Sequence, residues 1–219
     1  MKKTTKFLTV AALLATGFSG TAMADEGFSI GADVVSSYVW RGTELGDSFA
    51  VQPSLTYTFA GTGVEVGAWG SYAVAENDGS RYKEIDLYVS VPVGPLTLTA
   101  TDYFTAADGN KSFDFTDDGP NVVEISASYA IDDLSLLAGV NVAGFDTNNA
   151  VYCEAGYQFY DKDGYTASGF VGAGNEVYTT DADFNVVNTG ISVSKDRYTA
   201  SYVYNPDSEM SHLVFMASF

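Results

Sequence analysis

The sequence is poor in cysteine, histidine and basic residues, and each shortage removes a class of function. Of its 219 residues one is cysteine and one is histidine, and 10 Lys and Arg stand against 28 Asp and Glu, a formal net charge of −18. The lone cysteine, Cys153, cannot form an intramolecular disulfide. The excess of negative charge argues against nucleic acid as a partner, because its phosphates would be repelled.

The N-terminal residues have the layout of a secretory signal peptide. Three lysines lie within the first six residues, an apolar run covers residues 7–15, and Ala22-Met23-Ala24 provides a small-x-small cleavage site. The apolar run is shorter than the roughly 20 residues that a membrane-spanning helix needs. The sequence therefore predicts a cleaved signal peptide, residues 1–24, and one mature domain, residues 25–219.

The mature chain also lacks an apolar run long enough for a membrane helix. Loss of the three N-terminal lysines would take the net charge from −18 to −21, while the 14% aromatic content argues against disorder. An exported membrane protein without helices has one other way to pair its backbone polar groups in hydrocarbon, which is a closed β-barrel.

Apolar and polar residues do alternate with a period of two, the pattern of strands with one apolar face. In residues 51–59, for example, Val51 and Leu55 lie on one face and Gln52 on the other. Such segments cover residues 28–40, 51–59, 64–72, 84–91, 96–101, 123–129, 134–142, 151–159, 165–171, 187–194, 198–205 and 212–219. We therefore expect an all-β fold, a single antiparallel up-and-down transmembrane β-barrel of about twelve strands.

The connections alternate between short turns and longer acidic loops, as in bacterial outer-membrane barrels. Short turns such as Gly94-Pro95 define one rim, where both termini would lie, and loops such as residues 105–121 define the other. Aromatic residues of the apolar face collect near the strand ends, as expected at the headgroup level. These are Phe28, Phe59, Tyr129, Phe159, Tyr165 and Tyr198 at the short-turn rim and Trp40, Tyr72 and Tyr204 at the other.

The C-terminus carries a further signal. Phe219 ends the chain, with Phe215 and Leu213 on the same face. This arrangement resembles the insertion signal that the barrel-assembly machinery reads in many outer-membrane barrels. With the aromatic belts, it favours the outer membrane of a Gram-negative bacterium, where lipid and lipopolysaccharide would surround the barrel. The alternative is a soluble periplasmic β-sandwich or lipocalin-like barrel, whose apolar face would point inward.

One segment resembles a known family. Ser37-Tyr38-Val39-Trp40-Arg41-Gly42, followed by Ala50-Val51-Gln52, is similar to the N-terminal signature of the TorF-type porins. The motif covers only the first hairpin. The resemblance implies a signal peptide, a single barrel domain and porin-like passage, without naming a solute.

Ionisable residues at inward positions of the predicted strands are nearly all acidic, namely Asp33, Glu65, Glu84, Asp86, Glu124 and Glu154. A narrow mouth lined with carboxylates attracts cations and repels anions. The pattern predicts a porin for passive diffusion of small hydrophilic solutes, with a preference for cations.

The same positions permit a closed lumen. Arg41, which also points inward, or Arg81 in a long loop would fold onto the carboxylates and form a structural network. Bulky inward residues such as Trp69 and Tyr152 would fill the interior, and twelve strands lie between plugged and open barrels in size. The protein would then be a closed barrel with a structural or surface-binding role through its acidic extracellular loops.

Patterns associated with catalysis or metal binding have simpler explanations here. Residues 27–31 fit G-x-S-x-G, but that motif needs a strand-to-helix elbow and these residues lie within a strand. His212 points inward with no identifiable partner, whereas barrel phospholipases place their site outside. Residues 161–164 begin like a calcium loop, yet Gly172 replaces its final glutamate, so a hairpin turn is expected. We predict no enzymatic activity, cofactor or metal site.

N-terminal sequencing of the exported protein tests the predicted processing. We expect the mature chain to begin at Asp25, because Ala22 and Ala24 are the small residues that signal peptidase requires. Replacing Ala24 by a bulky residue such as Phe would leave the precursor uncut. A mature protein that begins at Met1 would contradict the prediction.

Overall fold

The computed structural model describes residues 27–76, 80–145 and 148–219, so the predicted signal peptide lies outside the described residues. Fourteen strands are formed there. They are β1 (Gly27–Val35), β2 (Tyr38–Trp40), β3 (Thr43–Leu45), β4 (Ala50–Thr58), β5 (Glu65–Ala73), β6 (Lys83–Val93), β7 (Leu96–Thr105), β8 (Asn121–Ile131), β9 (Leu134–Gly144), β10 (Val151–Lys162), β11 (Tyr165–Glu176), β12 (Ala182–Lys195), β13 (Tyr198–Asn205) and β14 (Met210–Ser218).

No helix in these described ranges is long and apolar enough to cross a membrane.

Twelve of the strands form one closed antiparallel barrel. Each strand from β4 to β13 pairs with the next strand along the chain, and β1 pairs with both β4 and β14. The two remaining strands, β2 and β3, form a separate hairpin inserted between β1 and β4. The predicted all-β antiparallel barrel of about twelve strands is confirmed.

The alternation in the sequence places apolar side chains outside and polar ones inside. Leu55 and Ile125 on the outer face are 43% and 44% exposed, whereas Gln52 and Asn141 on the inner face are buried. Since successive side chains of a strand point to opposite faces, the alternating sequence separates apolar from polar residues along the whole barrel wall. A soluble β-sandwich or lipocalin-like barrel requires the opposite arrangement, so that alternative is wrong.

Turns of two residues join several strands at one rim. Between β10 and β11, Asp163 and Gly164 have φ values of 57° and 78°. Two central residues with positive φ are the mark of a type I′ turn, whose twist matches that of the flanking strands. The expected hairpin turn at residues 161–164 is therefore the observed one. Connections at the opposite rim are longer, the longest being residues 106–120.

The barrel closes where β1 meets β14. Ala32 and Phe219 exchange two backbone hydrogen bonds, of 3.1 and 2.9 Å, and the Ser36 amide donates to the Phe215 carbonyl at 2.8 Å. The side chains of Leu213, Phe215 and Phe219 are all more than half exposed on the outer face. The last residue of the chain thus takes part in closure, independently of any role in insertion.

The first strand is shorter than the sequence indicates. The alternation runs to Trp40, but β1 ends at Val35 and the chain then turns into the barrel. Tyr38 is buried inside and Trp40 is half-buried there, so the expectation that Trp40 belongs to an outer aromatic belt is wrong. The departure from the wall depends on interior contacts described below.

Val187 points inward because of a β-bulge in β12. The sequence pattern places Val187 on the outer face, yet it is fully buried. The register between β11 and β12 shifts between Gly172 and Ala173, which pair with Asn188 and Val186, so Val187 is an extra residue. A bulge of this kind turns a side chain to the opposite face.

A disulfide across the closing seam tests the register. In a Cys153→Ala background, Asp33→Cys with Ser218→Cys should cross-link on oxidation, because these residues are direct partners in β1 and β14. The control pair, Ser29→Cys with Ser218→Cys, lies about 13 Å further along β1 and should stay reduced. A cross-linked chain migrates faster on a non-reducing gel. Faster migration of the control pair, without that of the test pair, would contradict the register.

Candidate functional site

The inserted hairpin, β2 and β3 with the turn between them, is the feature that shapes the interior. Its turn residues Arg41 and Gly42 have φ values of 49° and 83°, and Trp40 pairs with Thr43 across it. A Cβ at position 42 would lie 1.9 Å from the carbonyl oxygen of Val187 in β12. Glycine is therefore required there both by the backbone conformation and by the close approach of the barrel wall.

Arg41 attaches the tip of the hairpin to the opposite wall. Its guanidinium makes two bonds to the Glu124 carboxylate of β8, Nη1 to Oε2 at 2.5 Å and Nη2 to Oε1 at 2.9 Å. Nη1 also donates to the Tyr178 hydroxyl at 2.6 Å. The side chains of Arg41 and Glu124 are only 1% and 2% exposed. A two-bond pair of this geometry is stronger and more directional than a single contact.

Aromatic rings enclose the same guanidinium. Its central carbon lies 4.5 Å from the ring centre of Trp40, 4.3 Å from Tyr152 and 5.2 Å from Tyr178. Ring faces carry partial negative charge and attract cations at these distances. The rings and the carboxylate together compensate the loss of water around Arg41.

The base of the hairpin contacts other parts of the wall. Tyr38 donates to Glu84 of β6 at 3.2 Å, and its ring lies 5.4 Å from that of Trp69 in β5. Val39 packs in a buried cluster with Phe170, Val203 and Val214. Because these strands lie on different sides of the barrel, the hairpin extends across the lumen in its long-loop half.

The predicted lumen residues separate into two groups. Glu84, Asp86, Glu124 and Glu154 are buried in the long-loop half, around the hairpin. Glu154 accepts hydrogen bonds from Tyr152 and, at 2.8 Å, from Asn188.

Asp33 and Glu65 are not part of this group. Asp33 is opposite Ser218 at the seam, and Glu65 accepts from Thr58 at 3.2 Å near the short-turn rim. Paired hydroxyls lie along the inner wall, such as Ser192 and Ser201 at 2.7 Å. The hairpin-free half of the interior is thus lined mainly by neutral polar groups.

Arg81 does not fold onto the interior carboxylates. It bonds to the Tyr72 hydroxyl at 2.7 Å and to Glu76 at 3.4 Å, all on the exposed side of the long-loop rim. That alternative expectation is wrong for Arg81, while Arg41 does form an interior network. Because the Tyr72 side chain points outward, its bond to Arg81 holds the guanidinium outside the lumen.

The residues of the supposed catalytic patterns are not brought together. Ser29 lies in the short-turn half of β1, whereas His212 lies in the long-loop half of β14. His212 Nδ1 is 3.7 Å from Glu44 Oε2, and the other carboxylate oxygen of Glu44, Oε1, accepts a hydrogen bond from Ser37. This contact connects the wall to β3 and gives the histidine a structural neighbour.

Sequence reasoning missed two contributors to the site. Tyr178 belongs to the connection after β11, which has no periodic pattern, so no signal there predicts an inward ring. The alternation predicts that Asn188 points inward, but nothing in the sequence indicates that it bonds to Glu154.

Fold and interior together define a class: a closed twelve-stranded antiparallel barrel with an apolar exterior, a polar interior and an inserted hairpin. Residues 20–216 match the family described as "Bacterial protein of unknown function (Gcw_chp)". The chain belongs to this family. The match does not distinguish the TorF-type porins that the N-terminal motif resembles.

One solved structure shares the fold. A KdgM porin superposes with a TM-score of 0.51 at 9% identity, covering 87% of this chain and 97% of that one. A mutant porin of Rh. blastica covers 88% of this chain and 100% of its own, at 13% identity and a TM-score of 0.38. Comparison with curated proteins gives no significant match. At 9% identity the likeness to the KdgM porin concerns the fold alone.

A double-mutant cycle tests the hairpin anchor. Arg41→Met should lower the free energy of unfolding by about 3–5 kcal/mol, because it leaves the Glu124 carboxylate buried without its counter-charge. Adding Glu124→Gln should restore much of that loss. Urea titration followed by tryptophan fluorescence in detergent micelles would measure both effects.

The exposed pair Arg81 and Glu76 is the matched control. The same substitutions there should change stability by less than about 1 kcal/mol, because water screens the pair. Equal losses for Arg41→Met and Arg81→Met would show that the interior pair does not hold the hairpin.

Proposed function

We propose that the protein is an outer-membrane porin through which small hydrophilic solutes diffuse passively. The observation that carries the proposal is the sidedness of the closed barrel. An apolar exterior suits lipid, and an interior of hydroxyl, amide and carboxylate groups suits water and polar solutes. A closed ring of strands leaves no unpaired edge, which hydrocarbon would penalise.

The hairpin would act as the constriction of this channel. It lies across the long-loop half of the lumen and is held by Arg41, Tyr38 and Val39 against different strands. Solutes would pass beside it, which limits them to small molecules. The hydroxyl-lined half toward the short-turn rim offers no comparable obstruction from β2 or β3.

The charge around the constriction favours cations. Four carboxylates are buried there, those of Glu84, Asp86, Glu124 and Glu154. Among the described residues, Arg41 is the only buried basic one. Carboxylates within low-dielectric walls raise the local concentration of cations and repel anions.

We therefore propose a modest preference for cations over anions of the same size.

The remaining parts of the proposal concern export and assembly. A signal peptide of residues 1–24 would direct the chain out of the cytoplasm, and residues 25–219 would insert into the outer membrane of a Gram-negative bacterium, among lipid and lipopolysaccharide. Leu213, Phe215 and Phe219 would be read by the barrel-assembly machinery. The N-terminal motif supports assignment to the TorF-type porins, and no enzymatic role is proposed.

A closed barrel is the second candidate, and the attachment of the hairpin to several strands favours it. In that case the lumen would not conduct, and the acidic long loops would carry a structural or surface-binding role. The loops include Asp114, Asp117 and Asp118 between β7 and β8 and Asp181 between β11 and β12, while Asp183 lies near the start of β12.

Planar-bilayer recording across a salt gradient separates the two candidates. The wild-type protein should give small discrete conductance steps, with a reversal potential of the sign expected for cation preference. Replacing residues 37–45 by a Gly-Ser linker should raise the conductance several-fold, because the obstruction is removed. Asp114→Asn, in an exposed loop, is the control and should leave the step size unchanged.

Each result decides something. Steps that occur only after removal of the hairpin would identify a closed barrel. No steps in either protein would refute passage altogether, and a reversal potential of the opposite sign would refute the role of the interior carboxylates.

A further inference from the structure

Basic residues are scarce in this chain, and three of them lie close together at the short-turn rim. Three of the ten Lys and Arg residues fall within the first six positions, which leaves seven for the rest of the chain. Lys162 ends β10, Lys195 ends β12, and Arg197 lies in the turn before β13. The turns that precede β5, β7 and β9 at the same rim contain no basic residue. Positive charge at this rim is thus confined to one sector.

The strand register aligns the two lysines with two tyrosines. Lys162 pairs with Tyr165, and Tyr165 pairs with Lys195. Lys195 in turn pairs with Tyr198. Directly opposed side chains of a sheet share a face, and Val193, two residues before Lys195, is 43% exposed on the outer face. A row of alternating lysine and tyrosine therefore follows the outer edge of the rim, with its two lysines about 10 Å apart across three neighbouring strands.

Aromatic rings, and not carboxylates, contact these cations. Lys195 Nζ donates to the Tyr165 hydroxyl at 3.0 Å and lies 4.1 Å from the centre of that ring. The guanidinium carbon of Arg197 lies 5.4 Å from the ring centre of Phe219. Among the described residues, each salt bridge made by a Lys or Arg lies outside this sector. The positive charges are exposed and have no ion-pair partner.

Acidic residues of the same turns do not neutralise the cations by direct contact. Asp161 pairs with Thr166, next to the outward pair of Lys162, so its side chain lies on the opposite face. Asp163 and Asp196 are the positive-φ residues of their turns, with φ values of 57° and 54°, and both are exposed. They reduce the local positive potential, but they leave the lysine and arginine head groups available to an external anion.

A bulge enlarges the apolar surface beside the row. The register of β10 with β11 shifts between Gln158 and Tyr160, so Phe159 is an extra residue. Gln158 remains buried inside, whereas Phe159 and Tyr160 are 55% and 45% exposed. Two consecutive rings therefore lie on the outside, close to Lys162. Aromatic rings of this kind belong at the level of lipid head groups.

We propose that this sector of the short-turn rim binds an anionic phospholipid of the phosphatidylglycerol type. Lys162, Lys195 and Arg197 bind the phosphate of the head group, since Lys and Arg are the usual donors to phosphate. The rings of Phe159 and Tyr160 contact the adjoining acyl chains. The inference rests on the outer-membrane location proposed above, in which short turns face the periplasm and its phospholipid leaflet. It does not require that the barrel conducts.

Native mass spectrometry measures which lipids the barrel retains. The protein is held in detergent micelles that contain equal amounts of phosphatidylglycerol and phosphatidylcholine. The wild type should retain phosphatidylglycerol in preference to phosphatidylcholine. The triple variant Lys162→Gln, Lys195→Gln and Arg197→Gln should lose this preference by about tenfold or more, because each basic residue near an anionic lipid adds to its attraction.

The matched control removes the same charge from the other rim. Arg81→Gln with Lys83→Gln and Lys111→Gln should keep the lipid preference, although its net charge equals that of the first triple variant. Gel mobility of unheated samples reports whether each barrel is folded. Lys162→Gln alone, a change of one exposed side chain, should lower the preference by about two- to fivefold and guards against misfolding of the triple variant.

Two results would overturn the proposal. One is equal retention of both lipids by the wild type, and the other is an equal loss of preference in the two triple variants. Retention in micelles depends neither on insertion into a bilayer nor on passage of solutes. Absence of conductance steps would therefore refute the pore without affecting this result.

Discussion

The pairing of β1 with both β4 and β14 is the constraint on which the rest of the structure depends. Without the seam, the sheet would have two free edges, and the inner face would open to the same surroundings as the outer face. The seam uses the final residue, Phe219, and the amide of Ser36. Closure therefore joins the two ends of the described chain, and it occurs at the point where the hairpin leaves the wall.

Closure creates an interior in which charge has to be compensated locally. Arg41 and Glu124 do this with two hydrogen bonds and a surround of aromatic rings. Glu154 is served by Tyr152 and Asn188. Glu84 accepts hydrogen bonds from the Tyr38 and Tyr82 hydroxyls. Charge compensation thus explains the position of the hairpin.

The hairpin connects assembly with the proposed function. Its contacts reach strands on different sides of the barrel, so it can form its full set of bonds only once those strands are in place. An obstruction of this kind sets an upper limit on the size of a solute without altering the wall. The neutral polar groups of the other half would impose little selectivity of their own, so discrimination would be concentrated near Arg41 and the carboxylates.

Much of the wall could be predicted from the sequence because alternation is a local property of extended chain. Successive side chains point to opposite faces of a strand. Rows such as Val51 and Leu55 opposite Gln52 therefore identify the strand, its outward apolar face and its inward polar residues, without knowledge of the neighbouring strand. The same reasoning failed where a local irregularity changed the face, as at Val187, since a bulge depends on the register with the neighbouring strand.

The sequence by itself thus indicated a barrel of about twelve strands, the outward position of the apolar rows and the inward position of Glu84, Asp86, Glu124 and Glu154. Only the tertiary structure decided where β1 ends, because the alternation continues to Trp40 and nothing local marks the change of direction after Val35. The path of residues 36–45 depends on Glu124 and Asn205, which are 83 and 163 residues from their partners Arg41 and Gly42. Contacts between residues so far apart in the chain exist only after the barrel has closed around them.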